Sequence, residues 1–258
     1  MDTTMPDLVL AIDIGNSAVK FGIGPRNSAS WHDLWRLPTH TATGSDEWVS
    51  LLLPHLPSDI RANLASVVCS SVVPLVAEAL LEGLRQLVPL EPVVVTARTP
   101  MAIRVTTDQP ERTGSDRIVN ANTMWITRGG PSIVIDAGTA TKIDAVTATG
   151  EFPGGIIAPG VGTMMDGLAR RAAQLSEVPV AMPEHAIGRN TSTAIQSGVV
   201  LGHTRMIEGL VQDVTTELDQ VVNVVMTGGF STLLAPHIPS VRAVEPTFVL
   251  DGLRHLAG

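Results

Sequence analysis

Leu8-Val9-Leu10-Ala11-Ile12-Asp13-Ile14-Gly15-Asn16-Ser17 runs an apolar, β-prone stretch into an acid, a glycine and a hydroxyl. The same order returns in Ile133-Val134-Ile135-Asp136-Ala137-Gly138-Thr139-Ala140-Thr141. Each Asp is therefore predicted to sit where a buried strand ends and turns. A glycine lets the backbone turn and approach a ligand, leaving N–H groups and the Ser or Thr hydroxyl to hold phosphate oxygens. A carboxylate repels phosphate, so its role at such a turn is to hold a cation that bridges to it. A single Asp-x-Gly after a strand is also an ordinary turn. Two copies half a chain apart predict two similar lobes facing one nucleotide.

The rest of the composition fits that reading. A chain of 258 residues with 44% hydrophobic content can bury one large core or two ordinary ones. A formal charge of −8, with no basic stripe, argues against a nucleic-acid partner. It does not exclude a nucleotide, which backbone dipoles, a few cationic side chains and a metal can hold locally. Cys69 is the single cysteine, so an intrachain disulfide and a cysteine metal cluster are excluded. Within Ser66-Val67-Val68-Cys69-Ser70-Ser71 it reads as a small buried apolar residue rather than a nucleophile. The segment Met1 to Asp7 carries two acids and no basic run, and the apolar stretch after it is too short for a signal peptide or a membrane span. A soluble cytoplasmic protein is the expectation.

Strands and helices alternate along the chain, which predicts an α/β fold. After the first turn, Ala18 to Ile23 reads as the second arm of a hairpin. Residues 45–63 are helical in parts, broken by Pro54 and Pro57. Ser66 to Val73 is a strand, and Pro74 opens a helix with Leu75, Ala79, Leu80, Leu84 and Leu87 on one face. Val93-Val94-Val95 is expected to be a further buried strand. A helix follows from Gly114, with Ser115 as candidate N-cap. Gly129-Gly130-Pro131 ends it and marks the expected boundary between lobes 1–128 and 129–258. The second motif hairpin returns over 142–148 and turns at Thr149-Gly150. Gly154-Gly155-Ile156-Ile157-Ala158-Pro159-Gly160 then reads as a glycine-rich passage before a helix reaching about Leu175. Thr191 to about Leu218 is a long helix, with Ala194, Ile195, Gly198, Val199 and Gly202 on a small-residue face suited to close packing. Val221 to Met226 is a buried strand closed by Thr227-Gly228-Gly229.

Gly114-Ser115-Asp116-Arg117 is the third constellation. Its Asp either merely favours the helix dipole beside a solvated Arg, or accepts a proton from a substrate hydroxyl while the Arg clamps an anion. Thr227-Gly228-Gly229 is either a simple turn or a further backbone approach point. His185, His203 and His237 lack ligand spacing and read as surface or packing residues, and Met164-Met165 as core filling.

Together these segments resemble the type III pantothenate kinases, in the superfamily of acetate and sugar kinases, Hsp70 and actin. The resemblance runs nearly end to end. It is carried by Ala11 to Ser17, Gly114 to Arg117, Asp136 to Thr141, Gly154 to Gly160 and Ile187-Gly188-Arg189-Asn190-Thr191. It implies an actin-like ATPase fold of two ribonuclease H-like lobes with mixed sheets flanked by helices. It also implies transfer of the γ-phosphoryl group of ATP to the terminal hydroxyl of pantothenate, the first step of coenzyme A synthesis. The other readings open at this point are a kinase of this fold acting on a different small hydroxyl compound, and a non-catalytic homologue.

The resemblance also assigns residues. Asp13, Ile14, Gly15, Asn16, Ser17, Ala18, Val19 and Lys20 would form the first phosphate loop, and Thr139 would meet ATP from the second. Magnesium would accompany the nucleotide, and Asp136 would hold a monovalent cation, potassium or ammonium. Asp116 would be the general base. Gly114, Ser115, Arg117, Thr107 and Thr191 would line the pantothenate site, in a homodimer. Two positions depart from the pattern. Thr107 stands where the family carries Tyr, in a chain without any Tyr. Lys142 stands where the family tends to carry Thr; it is either a surface strand residue or an ammonium that replaces the monovalent cation or meets phosphate.

Overall fold

Seven consecutive buried residues form the first strand, β1 (Leu8–Ile14), the pattern of a strand covered on both faces. The computed structural model describes residues 7–171 and 178–257. After β1 come β2 (Ala18–Pro25), β3 (Asp33–Pro38), α1 (Ser45–Leu52), α2 (Ser58–Asn63), β4 (Leu64–Ser71), α3 (Pro74–Leu87), β5 (Val93–Val94), β6 (Arg104–Val105) and α4 (Ser115–Arg128). Then follow β7 (Ser132–Ala137), β8 (Ala140–Val146), β9 (Glu151–Phe152), β10 (Gly154–Pro159), α5 (Val161–Arg171), α6 (Thr191–Gln196) and α7 (Gly202–Leu218). The chain closes with β11 (Asn223–Thr227), α8 (Ser231–Leu234), β12 (Ala243–Val244) and α9 (Phe248–His255). None of the described helices is long and apolar enough to cross a membrane.

The chain divides into two units. The first holds residues 7–101, 108–123 and 248–257, and the second holds 102–107, 124–171 and 178–247. This differs from a single cut after residue 128, because α9 returns to the first unit. Val249, Leu250 and Leu253 of α9 share a core with Val9, Ala11 and Val68.

In the first unit the strand order is β3-β2-β1-β4-β5. β1 pairs antiparallel with β2 and parallel with β4. Alternation along β1 sends Leu8, Leu10, Ile12 and Ile14 to the face covered by Trp48, Leu52, Leu80 and Leu84, and Val9 and Ala11 to the face covered by α4 and α9. Each large buried side chain contributes about 1.5–3 kcal/mol relative to exposure. On α3 the buried stripe is Ala77, Leu80, Leu81 and Leu84, spacing that turns Leu75 outward to 80% exposure. Leu75 was expected on the buried face. Val93 and Val94 are likewise exposed, since β5 is a short edge strand and only Val95 is buried.

The second unit repeats the plan with β10-β8-β7-β11-β12. β7 pairs antiparallel with β8 and parallel with β11. The two mixed five-stranded sheets and their shared order match the expected pair of ribonuclease H-like lobes. The glycine-rich passage from Gly154 to Pro159 is a strand, paired in register with β8 from Ala145 to Ala140. Its exposed alternate positions are those of an edge strand. Helix α5 is described to Arg171, and Leu175 lies outside the described residues. The expected helix from Thr191 to Leu218 is continuous, but widens into a π turn over Ser197–Leu201. A Cβ on Gly198 would meet open space, and one on Gly202 only Ser197 O at 3.9 Å. The small-residue face is therefore not a close helix contact among the described residues. Val221 precedes β11 and is exposed.

Candidate functional site

In the first unit, the carboxyl ends of two parallel strands converge on the predicted residues. Asp13 is the penultimate residue of β1 and lies opposite Ser70 of β4. The Ser70 hydroxyl donates to Asp13 Oδ1 at 2.7 Å, and Lys20, directly across the β1–β2 hairpin, donates from Nζ to Oδ2 at 3.1 Å. The turn between them is tied by the Gly15 N–H to Ala18 O at 3.1 Å. Thr39 braces it from outside, its hydroxyl donating to Gly15 O at 2.6 Å. Asn16 and Ser17 project exposed at its tip, so the loop presents backbone to an incoming ligand.

One residue beyond Ser70, the same strand holds the start of α4. The Ser71 N–H donates to the Ser115 hydroxyl at 3.0 Å, and that hydroxyl donates back to Ser71 O at 3.1 Å. Ser115 is thus the first helical residue, bolted to β4, rather than the N-cap expected. The bolt sets Asp116, which is buried, in the first turn of α4, where the helix dipole favours a negative charge. Its Oδ1 accepts the Arg117 N–H at 2.9 Å. Arg117 is half-buried beside it. Open α/β sheets bind ligands outside the carboxyl ends of their strands, which is where this set stands. Cys69 lies on β4 too, but burial and the nearby Asp13 push its thiol up to about 12, which suits a packing residue.

The second unit repeats the hairpin with different dressing. Asp136 and Lys142 are opposite residues of β7 and β8, joined Nζ to Oδ2 at 3.1 Å. The Gly138 N–H donates to Ala140 O at 3.2 Å, echoing the Gly15 turn. Thr139 is exposed at the tip, and its carbonyl accepts from the Thr163 hydroxyl at 2.7 Å and the Gly160 N–H at 2.9 Å. Two glycines crowd this turn. A Cβ on Gly160 would lie 2.1 Å from Gly138 O, and one on Gly228, at φ +94°, would lie 2.6 Å from Asp136 Oδ1. Thr227-Gly228-Gly229 forms the turn from β11 to α8 and passes close to the Asp136 carboxylate.

Behind the loop, Thr141 Oγ1 and His203 Nε2 lie 2.8 Å apart. His203 sits on the buried face of α7, and burial lowers its pKa, so the ring is neutral at pH 7. Its Nδ1 has no partner among the described residues. His185 and His237 are exposed and His203 is buried, in line with surface and packing roles. Thr191 opens α6 in an exposed position, after Asn190, whose side chain caps that helix. Thr107 follows β6, half-buried, with Cγ2 3.8 Å from the place of a Cβ on Gly154.

The structure brings Asp13 and Lys20 together at the first hairpin and Asp136 and Lys142 at the second, while Ser70, Thr39, Thr163 and His203 were not foreseen as their supports. A polar pair such as Ser70-Ser71 closing an apolar strand is the signal that could have found the first. The others come from distant segments with no local signature.

A model of the type III pantothenate kinase family matches residues 9–213. The chain is 39% identical over 249 residues to a type III pantothenate kinase of Roseiflexus sp. (strain RS-1), covering 96% of this chain and 97% of that one. It is 36% identical over 253 residues to a type III pantothenate kinase of Gluconobacter oxydans (strain 621H), covering 97% and 93%. A crystal structure from Campylobacter jejuni, of a conserved protein assigned to the Baf family of transcriptional activators, superposes with a TM-score of 0.62 at 17% identity, covering 96% of both chains. At that identity the likeness is one of fold.

Proposed function

The chain belongs to the type III pantothenate kinase family and phosphorylates pantothenate in coenzyme A biosynthesis, and on that premise we propose which of its residues carry the reaction. Asp116 accepts the proton of the attacking hydroxyl. Arg117 clamps the substrate's carboxylate, with Gly114, Ser115, Thr107 and Thr191 completing the acceptor site. Asp13 to Lys20 and Thr139 hold the phosphates of ATP through turn N–H groups and hydroxyls. The observation that supports this most is the double attachment to β4. Ser70 fixes Asp13 and Ser71 fixes Ser115, so one strand end sets the phosphate loop and the base together.

Phosphoryl transfer asks little covalent chemistry of the protein, and positioning with charge neutralisation does most of the work. Magnesium, when bound with ATP, supplies neutralisation of the phosphate charge. Asp13 fits such an ion held through water. Its oxygens already take one donor each, from Ser70 and Lys20, and a carboxylate has about four acceptor sites. Asp136 pairs with Lys142 as Asp13 pairs with Lys20, but here the lysine side chain is 19% exposed against 35%, so its ammonium is the more enclosed of the two.

A homodimer and a cytoplasmic location complete the reading; sedimentation equilibrium checks the first. The residue roles are tested by ADP release with pantothenate as acceptor. Asp116→Asn is expected to fold, to bind ATP with near wild-type affinity and to lose about a hundredfold or more in turnover. Turnover retained by this variant would remove Asp116 from the base role. Turnover by the wild type with another small alcohol, but none with pantothenate, would move the acceptor assignment to that compound.

A further inference from the structure

The Asp136 carboxylate already carries a cation of its own. Lys142 Nζ lies 3.1 Å from Asp136 Oδ2, with the two side chains only 19% and 16% exposed, so Lys142 is not a solvated surface residue of the strand. Its placement follows from the register, since the two residues face each other across β7 and β8. Gly228 runs beside the other carboxylate oxygen, Oδ1, which a Cβ at that position would approach to 2.6 Å. The first unit uses the same device, with Lys20 opposite Asp13 and the same 3.1 Å separation. The paired hairpins thus share a strand-end carboxylate neutralised by the lysine across from it.

We propose that the ammonium of Lys142 takes the place of a dissociable monovalent cation beside Asp136, so that ATP binding and turnover in this chain do not depend on potassium or ammonium. This rests on the kinase reading above. A lysine ammonium is a compact point charge that can neutralise a carboxylate as a monovalent cation would. Being tethered, it is present at high effective concentration whatever the salt. A second cation at the same carboxylate would meet like-charge repulsion from it.

The test uses the full-length protein in tetramethylammonium buffer at fixed ionic strength, with and without potassium chloride. ATP affinity is read by calorimetry, thermal stability by melting, and turnover by ADP release. The wild type should change less than about twofold in ATP affinity and turnover on adding potassium, whereas Lys142→Thr should gain about tenfold, a coupling of ordinary size. Lys142→Arg, which keeps the charge, should stay independent of potassium. Lys142→Met keeps the stem without the charge and serves if Lys142→Thr does not fold. Equal potassium dependence in wild type and Lys142→Thr overturns the proposal, and so does independence in Lys142→Thr and Lys142→Met alike. Absence of pantothenate turnover in every salt counts against the kinase reading instead, and the calorimetric arm still decides the role of Lys142.

Discussion

The Ser70 hydroxyl donates to the Asp13 carboxylate at 2.7 Å, joining the end of β4 to the end of β1 at a point where both residues are buried. A hydrogen bond to a buried charge is worth more than one between neutral groups. Ser70→Ala should therefore cost about 1.5–3 kcal/mol of stability. It should also raise the KM for ATP more than that for pantothenate, because Asp13 stands in the proposed first phosphate loop. Chemical denaturation and two-substrate kinetics check both. An unchanged KM for ATP would detach Asp13 from the nucleotide.

Ser115 is joined to the next residue of that strand, giving and receiving a hydrogen bond at Ser71. Losing both contacts in Ser115→Ala lets the first turn of α4 shift, and with it Asp116. The expected result is a fall in kcat with a smaller change in the KM for ATP, since misplacing a base by about 1 Å can cost a hundredfold. Ser115→Thr, which keeps the hydroxyl, should recover much of the loss. If Ser115→Ala and Ser115→Thr are equally impaired, the hydroxyl bridge is not what positions the base.

The hairpins were legible because their cause is local. An apolar run closed by Asp-x-Gly specifies a buried strand and a tight turn wherever it occurs, and Leu8 to Ser17 and Ile133 to Thr141 both form one. What was not legible depends on partners distant in sequence. Gly154 to Pro159 reads only as a glycine-rich passage by composition and is a strand because β8 offers it an edge. The return of α9 to the first unit is a packing choice made by Val249, Leu250 and Leu253 against β1 and β4. The Lys142 to Asp136 contact needed the register of β7 on β8, and a shift of one residue would have turned the lysine to the other face.

Gly160 tests how tightly the turn at Thr139, proposed to meet ATP, is built. Any side chain there would collide with the carbonyls of Gly138 and Thr139, at 2.1 and 2.7 Å from its Cβ. Both are backbone atoms, which cannot swing aside as a flexible side chain would. Gly160→Ala is expected to destabilise by about 1–3 kcal/mol, the usual cost of overpacking, and to weaken ATP binding. Gly167→Ala, where a Cβ meets open space, is the control and should leave melting unchanged or slightly raised. Equal stability of both variants would mean that the loop relaxes freely.

His203 makes stability depend on pH with a defined sign. Burial lowers its pKa from the ordinary 6.5, so below that pH the unfolded chain takes up a proton that the native ring refuses. The stability held above pH 6.5 is therefore lost as pH falls toward the lowered native value. One such group gives a slope of at most about 1.4 kcal/mol per pH unit. His203→Gln keeps a polar group near Thr141 and cannot titrate. Its melting temperature should fall less than that of the wild type between neutral pH and pH 5. The difference between the two curves isolates His203 from the other histidines, which both proteins share. Parallel curves would show that the ring becomes protonated in the native state as easily as in the unfolded chain, and that the contact with Thr141 at 2.8 Å does not require it neutral.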